Sequence, residues 1–336
     1  MNYGLTRREL LFSGLSGFGI GRQALETHHR ISPTHSTSHM GGSPVLVDAE
    51  AVERALAQPV RELAGFDPLA FITSFDTGTV SRLPGGRTLR EFRIVAEDRT
   101  LEVAPGIFFP AWTYNGTVPG PTLRCTEGDR VRIHFANRSV AEHSIHLHGI
   151  HPAAMDGIEV VRPGESFVYE IDAEPYGLQL YHCHTMPVSQ HMNRGLYGAF
   201  VIDPLAPRPP ARELVLVSAG WDLDFDGCNE LYALNGPANY FRDNPIPLAV
   251  GEPIRVYFVN ALEFEPVNSL HIHANFFRCL RRTLRGEEEE YNDIVTLCQA
   301  DRRILEFTYQ APGTYMFHAH MNTFAERGGM GHFQVS

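Results

Sequence analysis

Residues 182–200 read His182-Cys-His-Thr-Met-Pro-Val-Ser-Gln-His-Met-Asn-Arg-Gly-Leu-Tyr-Gly-Ala-Phe200, and residues 318–333 read His318-Ala-His-Met-Asn-Thr-Phe-Ala-Glu-Arg-Gly-Gly-Met-Gly-His-Phe333. Both stretches open on His-x-His and close on Gly-x-x-Gly-x-Phe. The same markers precede each of them in the same order. Asn115-Gly116, Gly128-Asp129, Asn137 and the pair His146/His148 lead to His182, while Asn235-Gly236, Gly251-Glu252, Asn260 and the pair His271/His273 lead to His318. An ordered agreement of this kind is an internal repeat. Within the first copy, Thr88 to Ala96, Val131 to Phe135, Ser166 to Ile171 and Gly198 to Ile202 alternate as short strands between Gly, Pro and Asn turns. The repeat unit is therefore read as a β-sandwich, and the chain as an all-β protein with two Greek-key sandwich domains.

Length and composition agree with that reading. A chain of 336 residues with 43% hydrophobic content has room for two domains with cores of their own. A net charge of -11 argues against a nucleic-acid partner, which requires a basic face. The N-terminus reads as an export signal: Thr6-Arg7-Arg8-Glu9-Leu10-Leu11 resembles a twin-arginine motif, and the following Leu10 to Ile20 is too short and Gly-rich for a membrane span. Thr27 to Pro44, with His28, His29, His35 and His39, reads as a disordered linker. The expected organisation is signal and linker at 1–45, a first domain at 46–205 and a second at 206–336. A short helix is expected from Asp48 to Ala57, and Asp203 to Pro210 reads as the connection between the domains.

The 17 histidines carry the chemistry. Residues two apart on a strand share a face, so each His-x-His pair sets two imidazoles side by side. Such pairs occur at His146/His148, His182/His184, His271/His273 and His318/His320. Imidazole alone does not select among copper, zinc, iron and nickel. Cys183 does. Lying between His182 and His184, its side chain faces the other way, where His143 and His191 can join it. One thiolate and two imidazoles are the trigonal donor set of a blue-copper electron-transfer site. The axial position falls to Leu196, which cannot coordinate, with Met192 and Met186 as less well-spaced sulfurs. Cys183 is also bonded through the backbone to His182 and His184, a short route for an electron.

These motifs resemble the two-domain multicopper oxidases, the small-laccase-like relatives of copper nitrite reductases. The resemblance covers Arg87 to Ser336 and rests on Asn115-Gly-Thr-Val-Pro-Gly-Pro-Thr122, His143-Ser-Ile-His-Leu-His-Gly149, His182-Cys-His184 with His191 and Gly195-Leu196, His271-Ile-His273 and His318-Ala-His320. It implies cupredoxin-like domains. It also implies that His146 and His271 hold a type 2 copper, that His148, His182, His184, His273, His318 and His320 hold a type 3 pair, and that His143, Cys183 and His191 hold type 1 copper, about four copper ions per chain. It further implies O2 and a small reducing substrate as partners, and a homotrimer whose trinuclear clusters each join the first domain of one chain to the second domain of its neighbour. The second domain departs from the pattern: Asn268, Ala319, Phe324 and Gly329 align with His143, Cys183, His191 and Leu196, so type 1 copper is expected in the first domain alone.

Reduction of O2 consumes protons, and Asp156, just after the His148 motif, resembles the family's acidic residue beside the cluster; it is the expected proton donor, with Glu326 a weaker candidate. His134, His151 and His332 lie outside the pairs and are expected in core, surface or supporting positions, not as ligands. Of the five cysteines, Cys125, Cys228, Cys279 and Cys298 read as free thiols, with a Cys279–Cys298 disulfide as the alternative, and Glu287 to Glu290 reads as a solvated loop. The leading function is a periplasmic or extracellular laccase-like oxidase. A copper nitrite reductase and a non-catalytic copper-binding protein are the alternatives.

Overall fold

The computed structural model describes residues 48–61, 66–284 and 286–336. The twin-arginine motif and the His-containing linker lie outside the described residues. The expected first helix forms at Ala49–Leu56, capped by the Asp48 side chain, which accepts from the Glu50 N–H. It buries Val52, Ala55 and Leu56.

The first sandwich has two sheets. One runs in the order Thr79–Arg82, Thr88–Ala104, Arg130–Asn137, Ser166–Asp172, with Ile107–Tyr114 also pairing on Thr88–Ala104. The other runs Leu123–Thr126, Tyr197–Asp203, Gly177–His182, His146–Leu147. Strand Thr88–Ala104 extends well past the expected Ala96, because its second half pairs with Ile107–Tyr114 through a tight turn at Gly106. The second sandwich repeats the plan. One sheet carries Leu231–Leu234, Arg212–Trp221, Ile254–Asn260, Arg302–Phe307, Phe277–Thr283 and Gly286–Asn292; the other carries Ile246–Leu248, Met330–Val335, Gly313–His318, Val267–Ile272 and Ile294–Cys298. The parallel pairing of Thr88–Ala104 with Arg130–Asn137 recurs as that of Arg212–Trp221 with Ile254–Asn260. That of Leu123–Thr126 with Tyr197–Asp203 recurs as Ile246–Leu248 with Met330–Val335.

Each sandwich fills its interior with alternate strand residues, Phe92, Ile133, Tyr169 and Phe200 in the first and Leu216, Phe258, Leu305 and Phe333 in the second. A third apolar layer joins them, in which Phe109, Leu180 and Val201 meet Val217, Trp221 and Tyr257. Beside it a charged network crosses the junction. Arg124 pairs with Asp203 and Glu213, and the buried Arg255 pairs with Glu213 and Glu306.

One expected loop is a strand. Glu287 to Glu290 lie within Gly286–Asn292, which forms a hairpin with Phe277–Thr283. Glu288 to Glu290 are exposed, as expected, and Glu287 is half-buried, but the run is an edge strand stabilised by opposite charges, with Glu289 on Arg278 and Glu287 on Arg208. All five cysteines are free: Cys279 is buried in that hairpin and Cys298 is exposed at the end of a strand of the other sheet. No helix among the described residues is long and apolar enough to cross a membrane.

Candidate metal centres

The first centre forms where strand Gly177–His182 ends. Cys183 follows it, its N–H donating to the Leu196 carbonyl at 3.0 Å. Helix Val188–Asn193 then turns the chain so that His191 comes back to Cys183. His143 arrives from a two-way backbone bridge with Val161, at 3.1 and 2.8 Å. The Cys183 Sγ lies 3.3 Å from His191 Nδ1 and 3.9 Å from His143 Nδ1, and the two Nδ1 atoms are 3.2 Å apart. Ser144 donates its N–H toward the sulfur at 3.4 Å, and Ser139 Oγ meets His143 Nε2 at 3.0 Å.

Burial governs the protonation of this set. It drives His143 down to about 3, with neighbouring His191 adding to the effect, and His191 down to about 4, with the Arg194 charge adding to it. Both imidazoles are therefore neutral and keep a lone pair each. Burial pushes the Cys183 thiol up, partly offset by hydrogen bonds from Thr185 and Ser144. A thiolate there needs a cation beside it, and the two neutral imidazoles can bind one but cannot supply the charge. Soft sulfur with two imidazoles in a water-excluded site is a donor set that fits copper. Leu196 is fully buried in the same apolar cluster as Cys183, whereas Met192 belongs to the layer between the sandwiches and Met186 is 76% exposed.

On the other side of Cys183, the paired histidines gather. His146 lies on the short strand His146–Leu147, registered opposite His182. Ring centroids of His146 lie 5.0, 5.1 and 5.2 Å from those of His148, His182 and His184, and His148 Nε2 is 3.1 Å from His182 Nε2. The second sandwich builds the same object. His271 lies 5.0, 5.5 and 5.4 Å from His273, His318 and His320, and His273 Nε2 is again 3.1 Å from His318 Nε2. Backbone carbonyls fix the tautomers alike in both. His146 and His271 donate Nδ1–H to the Asp156 and Asp293 carbonyls, each at 2.8 Å; His182 and His318 donate theirs to the carbonyls of Cys183 and Ala319 at 2.8 and 2.7 Å. All four thus turn a bare Nε2 to the centre. Burial lowers His148 to about 3, with Arg302 contributing, and His182 to about 4. Among the described residues, no metal-competent group mixes histidines of the two sandwiches.

Two family models, both described as multicopper oxidase, match residues 98–207 and 211–336. A crystal structure of a multicopper oxidase is 47% identical, with a TM-score of 0.79 over 81% of this chain and 98% of that one. The chain belongs to the multicopper oxidases. It is also similar to the copper nitrite reductase of Nitrosomonas europaea, at 26% identity, a TM-score of 0.67 and coverage of 74% and 94%. A probable nitrite reductase-hydroxylamine oxidoreductase fusion protein of Kuenenia stuttgartiensis is 28% identical over 71% of this chain, which spans 30% of that protein's length.

In this multicopper oxidase the expected loss of a second thiolate site is visible in space. Ala319 takes the place of Cys183, its N–H donating to Gly329 as that of Cys183 does to Leu196, both at 3.0 Å. Asn268 donates to Ser218 Oγ and Asn260 Oδ1, and Phe324 stacks on Tyr232 at 4.2 Å. Amide hydrogen bonds and an aromatic stack fill what would have been a metal position.

All eleven expected ligands of the oxidase thus fall into three groups. Asp156 lies where expected, its carboxylate 3.2 Å from His146 Nδ1 and 3.7 Å from His151 Nε2. Glu326 is exposed at the end of helix Asn322–Glu326. His151 supports the site through the Leu147 carbonyl at 2.8 Å, whereas His134 pairs with Glu91 and His332 contacts the Arg242 carbonyl. Asp293 was not legible. It shares no motif with Met155-Asp156-Gly157, yet it holds His271 as Asp156 holds His146, with its carboxylate at 3.8 Å. Ser144 and Ser269 form another such pair, accepting the N–H groups of His184 and His320.

Proposed function

We propose that this oxidase is laccase-like. It takes single electrons from a phenol, an aromatic amine or a metal ion at the Cys183 site and delivers them to O2 at a trinuclear site built from the paired histidines. The reading is supported above all by the second member of each pair. A single three-histidine copper, as a nitrite reductase needs, would use three of the eight paired imidazoles, yet both sandwiches hold four in matched arrangement. His143, Cys183 and His191 would hold type 1 copper; His146 and His271 the type 2 ion; His148, His182, His184, His273, His318 and His320 the type 3 pair. Copper bound in these positions supplies one-electron transfer at the thiolate site and O2 activation at the histidine site.

The protein's own residues supply the rest. Asp156, hydrogen-bonded to a cluster histidine and partly exposed, carries protons inward from solvent, so that each O2 leaves as two waters after four electrons and four protons. The carbonyls of Asp156, Asp293, Cys183 and Ala319 keep Nε2 of their histidines free. Because the two four-histidine groups do not meet within one chain, we take the oxidase to be a homotrimer in which neighbouring chains complete each cluster. The resemblance of Thr6 to Leu11 to a twin-arginine motif supports export to the periplasm or the exterior after folding with its metal.

Copper analysis with an oxygen electrode tests the reading. About four coppers per chain, a blue band and O2 uptake with phenols are expected. About two coppers with nitrite-dependent NO release would replace it with the nitrite reductase reading, which the Nitrosomonas likeness favours. Bound copper without turnover of any donor would leave a copper carrier.

A further inference from the structure

We propose that Trp112 is the port through which electrons reach the Cys183 site, and that Arg194 is the positioning residue that holds its ring in place. The inference deepens the oxidase reading only on the donor side. His143, Cys183 and His191 are 0%, 0% and 4% exposed, so no reductant can touch any of them directly. Leu196 and Met192, at 0% and 3%, present no surface either. The Trp112 indole is the partly exposed group that reaches both imidazoles, with ring centroids 5.0 Å from His143 and 4.7 Å from His191. Its ring contacts therefore run from solvent to both nitrogen donors of the site.

The indole is clamped from behind. Its backbone N–H donates to the Arg194 carbonyl at 2.9 Å, and the Arg194 guanidinium lies 4.5 Å over its ring and 4.3 Å over that of Phe225. Arg194 Nε is buried with no hydrogen-bond partner, and its guanidinium lies over two rings, with Asp98 and Asp222 near enough to act on its charge. A positive charge on the indole face makes removal of an electron from Trp112 itself harder. The ring thus serves as a bridge and is not consumed as a radical. Outside it, Asp98 pairs across the strands with Trp112 and accepts the N–H of Val140, a residue 77% exposed. A partly exposed indole against the buried site favours an aromatic reductant that can touch it. That donor loses one electron, the oxidised phenol or neutral aromatic amine then releasing a proton to solvent, and a metal held by Cys183 would gain the electron.

The chain has two tryptophans, so the emission lost in Trp112→Phe is that of Trp112. In the metal-free protein this component should be present, and it should be quenched when Cu(II) is added. Anaerobic stopped-flow bleaching of the blue band by a phenol should slow about tenfold or more in Trp112→Leu, about 1.4 kcal/mol in activation free energy, while Trp112→Phe retains most of the rate. Arg194→Met should weaken donor saturation while the blue band keeps its position. Neither O2 nor nitrite is present during bleaching, so the result stands whichever of the two is the natural acceptor. Bleaching at the wild-type rate in Trp112→Leu would overturn the proposal. So would loss of the blue band in both Trp112 variants, which would make the ring a prop for the imidazoles.

Discussion

Gly157 offers a test of how tightly the histidine cluster is tied to its turn. It sits beside Asp156 with φ +76°, and a Cβ added there would lie 2.3 Å from the Ile145 carbonyl oxygen, 2.6 Å from its carbon and 2.7 Å from the His146 nitrogen. These are backbone atoms of the segment that carries His146, so they cannot rotate away. For Gly157→Ala, the left-handed conformation costs about 1–2 kcal/mol with an L side chain. Overpacking adds about 1–3 kcal/mol. Gly86→Ala is the control: its φ is +86° but nothing lies within 4 Å, so only the first cost applies. Denaturant unfolding of the metal-free proteins should place Gly157→Ala below Gly86→Ala by the overpacking difference. The displaced His146 should also lose its bond to the Asp156 carbonyl, so O2 uptake and cluster copper should fall while the blue band from Cys183 survives. Equal stability of the two variants, with copper content and uptake intact in both, would refute the reasoning.

Cys183→Ser should abolish the blue band and turnover while the paired histidines keep their copper, read by metal analysis and an oxygen electrode. Arg255→Met should destabilise the chain by about 1–3 kcal/mol, because Glu213 and Glu306 lose a buried hydrogen-bonded partner while keeping Arg124 and Arg278; a denaturation midpoint at that of wild type would contradict this. Burial raises Glu263 to about 7 from an ordinary 4.5, so the folded state binds its proton more tightly than the unfolded chain. Its contribution is greatest below about 4.5 and declines as pH rises to about 7, so Glu263→Gln should flatten the loss of stability across that window. Mixing His148→Ala with His273→Ala chains should restore part of the oxygen uptake that each lacks alone, if neighbours complete the clusters; no recovery after reassembly would place each cluster within one chain.

The metal centres were largely legible because their ligands obey a local rule. A two-residue spacing on a strand fixes a shared face, so four His-x-His pairs and the Cys183 between two of them declare their geometry in one dimension. The same rule located the vanished second thiolate site at Ala319. Where partners come from distant strands, the rule says nothing. Asp293 holds His271 through a carbonyl, and any residue has a carbonyl, so its identity carried no signal. The Glu287 to Glu290 run looked like a loop because charge density suggests solvent; cross-strand arginines made it a strand.

By itself, the sequence determined the duplicated all-β plan, the multicopper oxidase resemblance, the eleven candidate ligands and the restriction of the thiolate group to the first half. Each follows from short-range periodicity and from the donor chemistry of Cys and His. Only the tertiary structure decided that His143, Cys183 and His191 are sealed from solvent, that Trp112 packs against both imidazoles beside Arg194, and that the paired histidines gather four to each sandwich. Burial and ring contact depend on how sheets far apart in sequence fold over one another, and no local pattern of residues encodes that.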